Sequence, residues 1–320
     1  KNDDEFDWLV TTPFTQGDYH DMKLTNPGIG VFGGDNGNFI FRDFSDPESP
    51  SQKCLSASNS TMYGDDILSV GIIDEENYFA GCNSGKIYLL NRFVSAPKEI
   101  KTGYTDDISA IYLYNSQIGF FAGANGFMLK TYNQMQSWKK IELQTNKAVN
   151  SISFADSLRG ILVGNDGLIM RSTDAGETWS DVSSGTDKRI NEIKYFPNGV
   201  AYAVCDGGNM LRSISDGEQW SSENIGTDRN INSLSFINPQ KGIICGDKGL
   251  ALATTNAGET WLSKAPTDWI NNMYSIDFFG EGRSNGIAVG DAGYLLKTTD
   301  KGNTWKLIYT PANADMYCLK

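Results

Sequence analysis

The sequence is poor in the residues that carry most enzyme chemistry. Its 320 residues include one histidine, His20, with no Ser or Cys nucleophile near it in a known motif, which argues against a triad or a His-rich metal site. Five cysteines, Cys54, Cys82, Cys205, Cys245 and Cys318, form no CxxC and no metal-ligand spacing. They read as small buried hydrophobes, so neither a metal nor a cofactor is expected. Bases are outnumbered: 27 Lys and Arg against 39 Asp and Glu leave a net charge of -12, a field that opposes nucleic-acid binding. No apolar run reaches the roughly 18 residues of a membrane-spanning helix. "GCNSGK" at 81–86 lacks the interval and the hydroxyl residue of a phosphate-binding loop. The first seven residues, "KNDDEFD", have no apolar core of a signal peptide; they read as the polar start of a mature exported chain, periplasmic, cell-surface or secreted.

What is abundant is glycine, 34 residues, and aromatics, 16 Phe, 14 Tyr and 7 Trp. With 39% hydrophobic residues and a mean hydropathy of -0.36, this describes a turn-rich globular protein leaning toward all-β.

A repeat organises the chain. A turn motif ends at Gly37, Gly85, Gly126, Gly167, Gly208, Gly249 and Gly293, with spacings of 48, 41, 41, 41, 41 and 44. Trp138, Trp179, Trp220, Trp261 and Trp305 each follow their glycine by 12 residues; the first two copies have Ser49 and Pro97 there. Within a copy four short apolar segments alternate with turns, as in "VNSISF", "GILVG", "LIMRS" and "TWSDV" of the fourth. Seven units of four antiparallel strands predict an all-β, seven-bladed β-propeller, a single domain over residues 1–320. Trp8 and "DMYCL" have strand register, so closing strands are expected within 1–14 and 313–320. Either end adds an extra strand or displaces a weak one, the Pro47–Pro50 region being weakest; the spacing leaves both open.

"STDAGETW" (172–179), "TTNAGETW" (254–261) and "TTDKGNTW" (298–305) follow the pattern S/T-x-D-x-G-x-T-W. Asp174, Asn256 and Asp300 are placed to accept backbone N–H bonds, Gly176, Gly258 and Gly302 to supply a positive φ, and Trp179, Trp261 and Trp305 to fill the wedge between blades. In the fifth copy, "SISDGEQW", Asp216 and Trp220 are retained while the glycine slides to Gly217; the third keeps only its threonine and Trp138. This pattern is the Asp-box, or BNR repeat, and the whole chain resembles the photosystem II stability/assembly factor-like family of propellers. The resemblance lies in scaffold motifs and implies a non-catalytic protein that binds a partner. Sialidases and xyloglucan hydrolases share the box, so a glycan-binding or glycan-cleaving propeller is the alternative. Sialidases are marked by an Arg-Ile-Pro start and an arginine cluster; no "RIP" occurs, and only eight arginines exist.

Specificity is expected where copies disagree, on the face formed by the fourth-to-first and second-to-third connections. Four such loops place Lys147, Lys188, Arg189, Arg229 and Trp269 on successive blades, a basic arc ending in an exposed-position Trp. The plain alternative is local pairing with Asp187, Asp228 and Asp268. Asn150, Asn191, Asn232 and Asn272 start the innermost strands, with His20 at the same place in the first blade; these amides cap turns or contact a ligand. The expected partner is an acidic protein segment or an anionic ligand, with a glycan as the other candidate.

Overall fold

In the computed structural model, residues 18–25, 28–44, 53–55, 62, 64–133, 136–264, 269–291 and 294–309 are described. Each copy folds as its alternation of apolar runs and turns dictates, into one four-stranded antiparallel sheet of consecutive strands. The first sheet holds β1 (Tyr19–Leu24), β2 (Ile29–Gly34), β3 (Phe39–Asp43) and β4 (Lys53–Leu55), and the second β5 (Ile67–Ile72), β6 (Asn77–Cys82), β7 (Ile87–Asn91) and β8 (Val94–Ile100). The third holds β9 (Ile108–Leu113), β10 (Gly119–Gly123), β11 (Met128–Thr131) and β12 (Lys139–Lys140), and the fourth β13 (Val149–Phe154), β14 (Gly160–Gly164), β15 (Ile169–Ser172) and β16 (Ser180–Asp181). The fifth holds β17 (Ile190–Tyr195), β18 (Ala201–Cys205), β19 (Asn209–Ser213) and β20 (Ser221–Asn224). The sixth holds β21 (Ile231–Asn238), β22 (Lys241–Gly246), β23 (Ala251–Thr254) and β24 (Leu262–Ser263), and the seventh β25 (Met273–Phe279), β26 (Asn285–Gly290), β27 (Leu295–Thr298) and β28 (Lys306–Tyr309). This is the seven-bladed propeller that the spacing predicts.

Each innermost strand packs on the next, and β25 packs on β1 to complete the ring. The Ser275 hydroxyl donates to the Met22 carbonyl at 3.4 Å across that last junction. The segments 1–14 and 313–320 lie outside the described residues; the fourth strand of the first sheet comes from its own copy.

The core is divided among the seven wedges between blades, one apolar cluster in each. Second strands are covered on both faces, which is why β14 reads as the unbroken run Gly-Ile-Leu-Val-Gly and is buried throughout. Cys82, Cys205 and Cys245 are fully buried in these wedges, and burial pushes their thiols up. The outermost strands β12, β16 and β24 are two residues long and exposed, which leaves little edge for another chain to pair with.

The repeated glycines answer to a close approach. Gly167 has φ +68, and a Cβ there would run into the carbonyl of Thr186 in the following fourth-to-first loop. Only glycine lets the two connections rest on one another.

The Asp-boxes brace the opposite face. In the fourth blade Asp174 accepts from the N–H groups of Glu177 at 3.1 Å and Thr178 at 3.0 Å, and its other oxygen from the Thr178 hydroxyl at 2.6 Å. Asp300 does the same for Thr304, while Asn256 accepts the Thr260 N–H at 3.0 Å and donates through Nδ2 to the Thr260 hydroxyl oxygen at 2.9 Å. Gly176 (φ +76) follows Ala175, itself at φ +62, so the turn takes two successive left-handed residues. Trp179 is 8% exposed and meets Phe154 edge-on at 5.9 Å, inside the wedge between third and fourth blades. Trp138, Trp220, Trp261 and Trp305 pack half-buried at the other wedges.

Two readings of the boxes are corrected by their hydrogen bonds. In the fifth copy Gly217 does not slide: its N–H donates to Ser213 Oγ at 3.0 Å, as that of Gly176 does to Ser172 at 2.9 Å. The acid position belongs to Ser215, which accepts from the Gln219 N–H at 3.0 Å. Asp216 instead stands where the other copies have Ala175 and Ala257, and its carboxylate is held by Arg159 and, at 2.9 Å, by the Tyr195 hydroxyl. In the third copy Asn133 works as Asn256 does, accepting from the Ser137 N–H at 3.0 Å.

Candidate docking face and central channel

The face opposite the Asp-boxes is built from a repeated stitch. In every blade the residue leading into the first strand offers its carbonyl to the first N–H of the same blade's second-to-third turn; Ala148 so receives Asn165, Arg189 receives Asp206 and Asn230 receives Asp247. The side chain of that lead-in residue then reaches sideways to the second N–H of the preceding blade's turn. Asp66 accepts from Asn36 at 3.0 Å, Asp107 from Ser84 at 2.8 Å, Asn230 from Gly207 at 3.0 Å and Asn272 from Lys248 at 2.9 Å. Ala148 and Arg189 carry no acceptor, so the equivalent N–H groups of Asn125 and Asp166 go without this stitch.

Two residues further on, a second ring ties each turn to the neighbouring blade. Asn150 donates to Asn165 at 3.0 Å and to the Ile190 carbonyl at 2.9 Å; Asn191 donates to Asp206 and the Ile231 carbonyl, and Asn232 to Asp247 and the Met273 carbonyl, all at 2.9 Å. His20 Nε2 lies 2.6 Å from Asp35 Oδ1, the same place in the first blade. Both donors of each of the three amides are therefore engaged within the scaffold. Asn272 is not a member of this ring: it is a lead-in residue, and Tyr274 takes the ring position with a 2.6 Å bond to Asp291.

The basic arc is present in part. Lys147 donates to the Asp166 carbonyl at 2.8 Å and Arg229 to that of Lys248 at 3.0 Å, each capping a turn with one donor. Lys188 and Arg189 are exposed, and among the described residues neither Asp187 nor Asp228 pairs with any of these cations; Asp268 lies outside them. Trp269 is not an exposed tip. A longer loop brings it to the place of Thr145, Thr186 and Thr227, with its carbonyl against Gly249. Its ring is half-buried, edge-on to Tyr294 at 5.1 Å, with Nε1 donating to Asn271 at 3.1 Å. The exposed side chain beside it is Ile270.

Inside the face runs a channel of about 840 Å³, lined by the first strands. Serine recurs in its lining, at Ser151, Ser233 and Ser275. Ser151 and Ser233 accept from the next blade's Ile193 and Ile276 N–H at 3.4 and 3.2 Å. In the same register Asp21 accepts from Val70 N–H, and Glu192 from Leu234 N–H, each at 2.9 Å. Burial pushes Glu192 up against the pull of Lys23. Lys23, Lys194, Asp277 and Arg283 also line it, as do Arg189, Asp206 and Asp247 of the docking face.

A sequence model of the photosynthesis system II assembly factor YCF48 family matches residues 130–221 and 212–312, together more than half of the chain. The chain belongs to that family.

The matched stretches run from the third blade to the last and contain the three best boxes and the whole basic arc. Solved YCF48 structures share the fold. YCF48 bound to D1 peptide superposes with a TM-score of 0.73 at 14% identity, over 91% of this chain and 94% of that one. YCF48 from Cyanidioschyzon merolae gives 0.69 at 13%, over 91% and 98%. A GH74 xyloglucanase from Xanthomonas campestris also superposes, with a TM-score of 0.73 at 10% identity over 93% of this chain, which spans 55% of that enzyme. No curated protein sequence gives a significant match.

Proposed function

We propose that the chain is a non-catalytic docking protein that receives an acidic protein segment on the face described above, with Lys147, Lys188, Arg189 and Arg229 as contacts. The observation that carries this reading is Arg189. Asp66, Asp107, Asn230 and Asn272 use a side-chain acceptor at the lead-in position to tie blades together, and Ala148 simply lacks one; at Arg189 the tie is replaced by an exposed guanidinium beside Lys188, in a protein of net charge -12. That a YCF48 structure holds a D1 peptide supports a peptide as the class of partner.

The competing reading, a glycan-binding or glycan-cleaving propeller, is favoured by the xyloglucanase likeness. Against it, Asp21, Glu192 and Asp277, the three carboxylates of the channel's first strands, each accept a main-chain N–H, and among the described residues Arg189 and Arg283 are the arginines that line the channel. We extend the proposal to an exported location, on the polar amino-terminal segment; antibody detection confined to the cytosol of the native host would refute it.

The test is co-precipitation from the native host with wild type, with Lys188→Glu/Arg189→Glu/Arg229→Glu, and with Lys139→Glu/Lys301→Glu on the Asp-box face. Loss of the bound protein in the first variant alone is expected. Retention in both sinks the reading.

A further inference from the structure

The channel carries charge that the scaffold does not call for. Serine suffices to join the innermost strands, yet the first, fifth and seventh blades place Asp21 and Lys23, Glu192 and Lys194, and Asp277 and Arg283 around one cavity. Ionised groups facing a narrow, partly desolvated cavity are unfavourable unless something engages them.

The carboxylates are engaged. Asp21 takes the Met22 and Val70 N–H groups and, at 3.1 Å, Lys23 Nζ. Glu192 takes the Ser233 hydroxyl at 2.6 Å and the Leu234 N–H; Asp277 takes the Ser235 hydroxyl at 3.1 Å and the Phe278 N–H at 2.8 Å. Of the three cations, Lys23 is paired with Asp21, but Arg283 and Lys194 are not matched in the same way. Arg283 donates to the Phe236 carbonyl at 3.3 Å, through one of its five N–H groups. Lys194 has no carboxylate or carbonyl partner among the described residues; its ammonium lies 6.0 Å from the Phe196 ring. Burial lowers the Lys194 pKa, Asp277 and Glu192 oppose that, and Arg283 and Lys23 add to it, so these groups share one field. The second and third blades line the cavity with Ile72, Ile111, Tyr112 and Leu113 instead. A volume of about 840 Å³ is of the size that holds small molecules.

We propose that the channel, which shares Arg189 with the docking face, is a second binding site for a small organic carboxylate with an apolar body: the carboxylate meets Lys194 and Arg283, and the body lies against Ile72, Ile111, Tyr112 and Leu113. Arg283 supplies a planar fork that suits a carboxylate, and Lys194 a donor set with no other acceptor.

The experiment is isothermal titration calorimetry of the full chain with phenylacetate, 3-phenylpropionate and hexanoate, beside the neutral phenylacetamide and the cationic phenethylamine. At least one acid binds, and phenylacetamide binds at least about tenfold more weakly, as loss of a charge-assisted bond requires. Lys194→Met, which keeps the length and removes the charge, abolishes acid binding without lowering the melting temperature. Lys188→Glu, on the docking face and outside the channel lining, leaves acid binding unchanged. The proposal falls if none of the acids binds, if amide and acid bind alike, or if Lys194→Met binds as wild type does.

Discussion

Arg189 and Asn230 occupy the same place on successive blades, yet only Asn230 receives the second N–H of the turn before it, that of Gly207 at 3.0 Å. A residue that leaves a repeated stitch undone separates stability from function. Arg189→Asn restores an acceptor toward the Asp166 N–H. It raises stability by about 0.5 to 1.5 kcal/mol, the net worth of one hydrogen bond, while it weakens capture of the partner. Paired melting and co-precipitation measurements check this; a variant that melts lower and binds as before assigns Arg189 to the scaffold.

Trp179 fills the wedge between the third and fourth blades. Trp179→Ala lowers stability by about 3 to 5 kcal/mol, and Trp179→Phe by less, since the ring that meets Phe154 is partly kept. Denaturant unfolding measures both; an unchanged midpoint in the alanine variant removes the ring from the core.

Asp216 and Ser215 exchange the roles that their letters suggest. Asp216→Ala leaves the turn intact, because Ala175 and Ala257 hold the same position in other copies, but it releases Arg159 and Tyr195. The loss is about 1 to 2 kcal/mol. Ser215→Asp supplies the missing box carboxylate, which can also accept the Glu218 N–H as Asp174 accepts that of Glu177, and gains about 0.5 to 1.5 kcal/mol, the net worth of one hydrogen bond. If instead Asp216→Ala opens the turn, amide exchange at Gln219 speeds up, and the assignment of Ser215 fails.

Acid unfolds the Asp-box face first. Partial burial pulls Glu177 up, but Lys130, Lys139 and the Tyr132 hydroxyl outweigh it and hold it at about 2 against an ordinary 4.5; Asp300 is likewise held at about 2 against 3.8 by the Thr304 hydroxyl and N–H. Both values are depressed in the fold, so their stabilisation is complete above 4.5 and disappears as the pH falls toward 2. Melting temperature drops through that window, and Glu177→Gln flattens part of the slope. A Gln variant with the wild-type profile assigns the acid sensitivity elsewhere.

Much of this architecture was legible in the spacing of glycine and tryptophan, because the same wedge recurs and imposes the same residues each time. The box at Asn133 and Ser215 escaped notice because Asn and Ser accept the same N–H bonds as Asp without matching its letter. Trp269 and Asn272 stand two residues short of the places expected for them: the loop before β25 is longer, so that Tyr274, 42 residues after Asn232, takes the ring position and Asn272, 40 after it, leads into the strand. The channel charges were readable in principle: Glu192 stands 41 residues from both Ser151 and Ser233, a charged residue in a serine column. Arg189 was legible as part of the basic arc, and stands 41 residues from both Ala148 and Asn230, but that it gives up a tie between blades emerged only from the hydrogen bonds of Asn230 and Asn272.

The junction of Ser275 with Met22 joins residues 253 apart, whereas its counterparts, Ser69 with Ile108 and Ser109 with Val149, span 39 and 40. Six of the seven wedges thus assemble between neighbours along the chain, as in a linear array, and only the last asks distant segments to meet. Chain-closure entropy grows with the logarithm of length, so that final clasp carries about 1.6 kcal/mol more than any other. A ring can therefore be completed late in folding at little extra expense, and once completed it leaves no terminal blade from which fraying can begin.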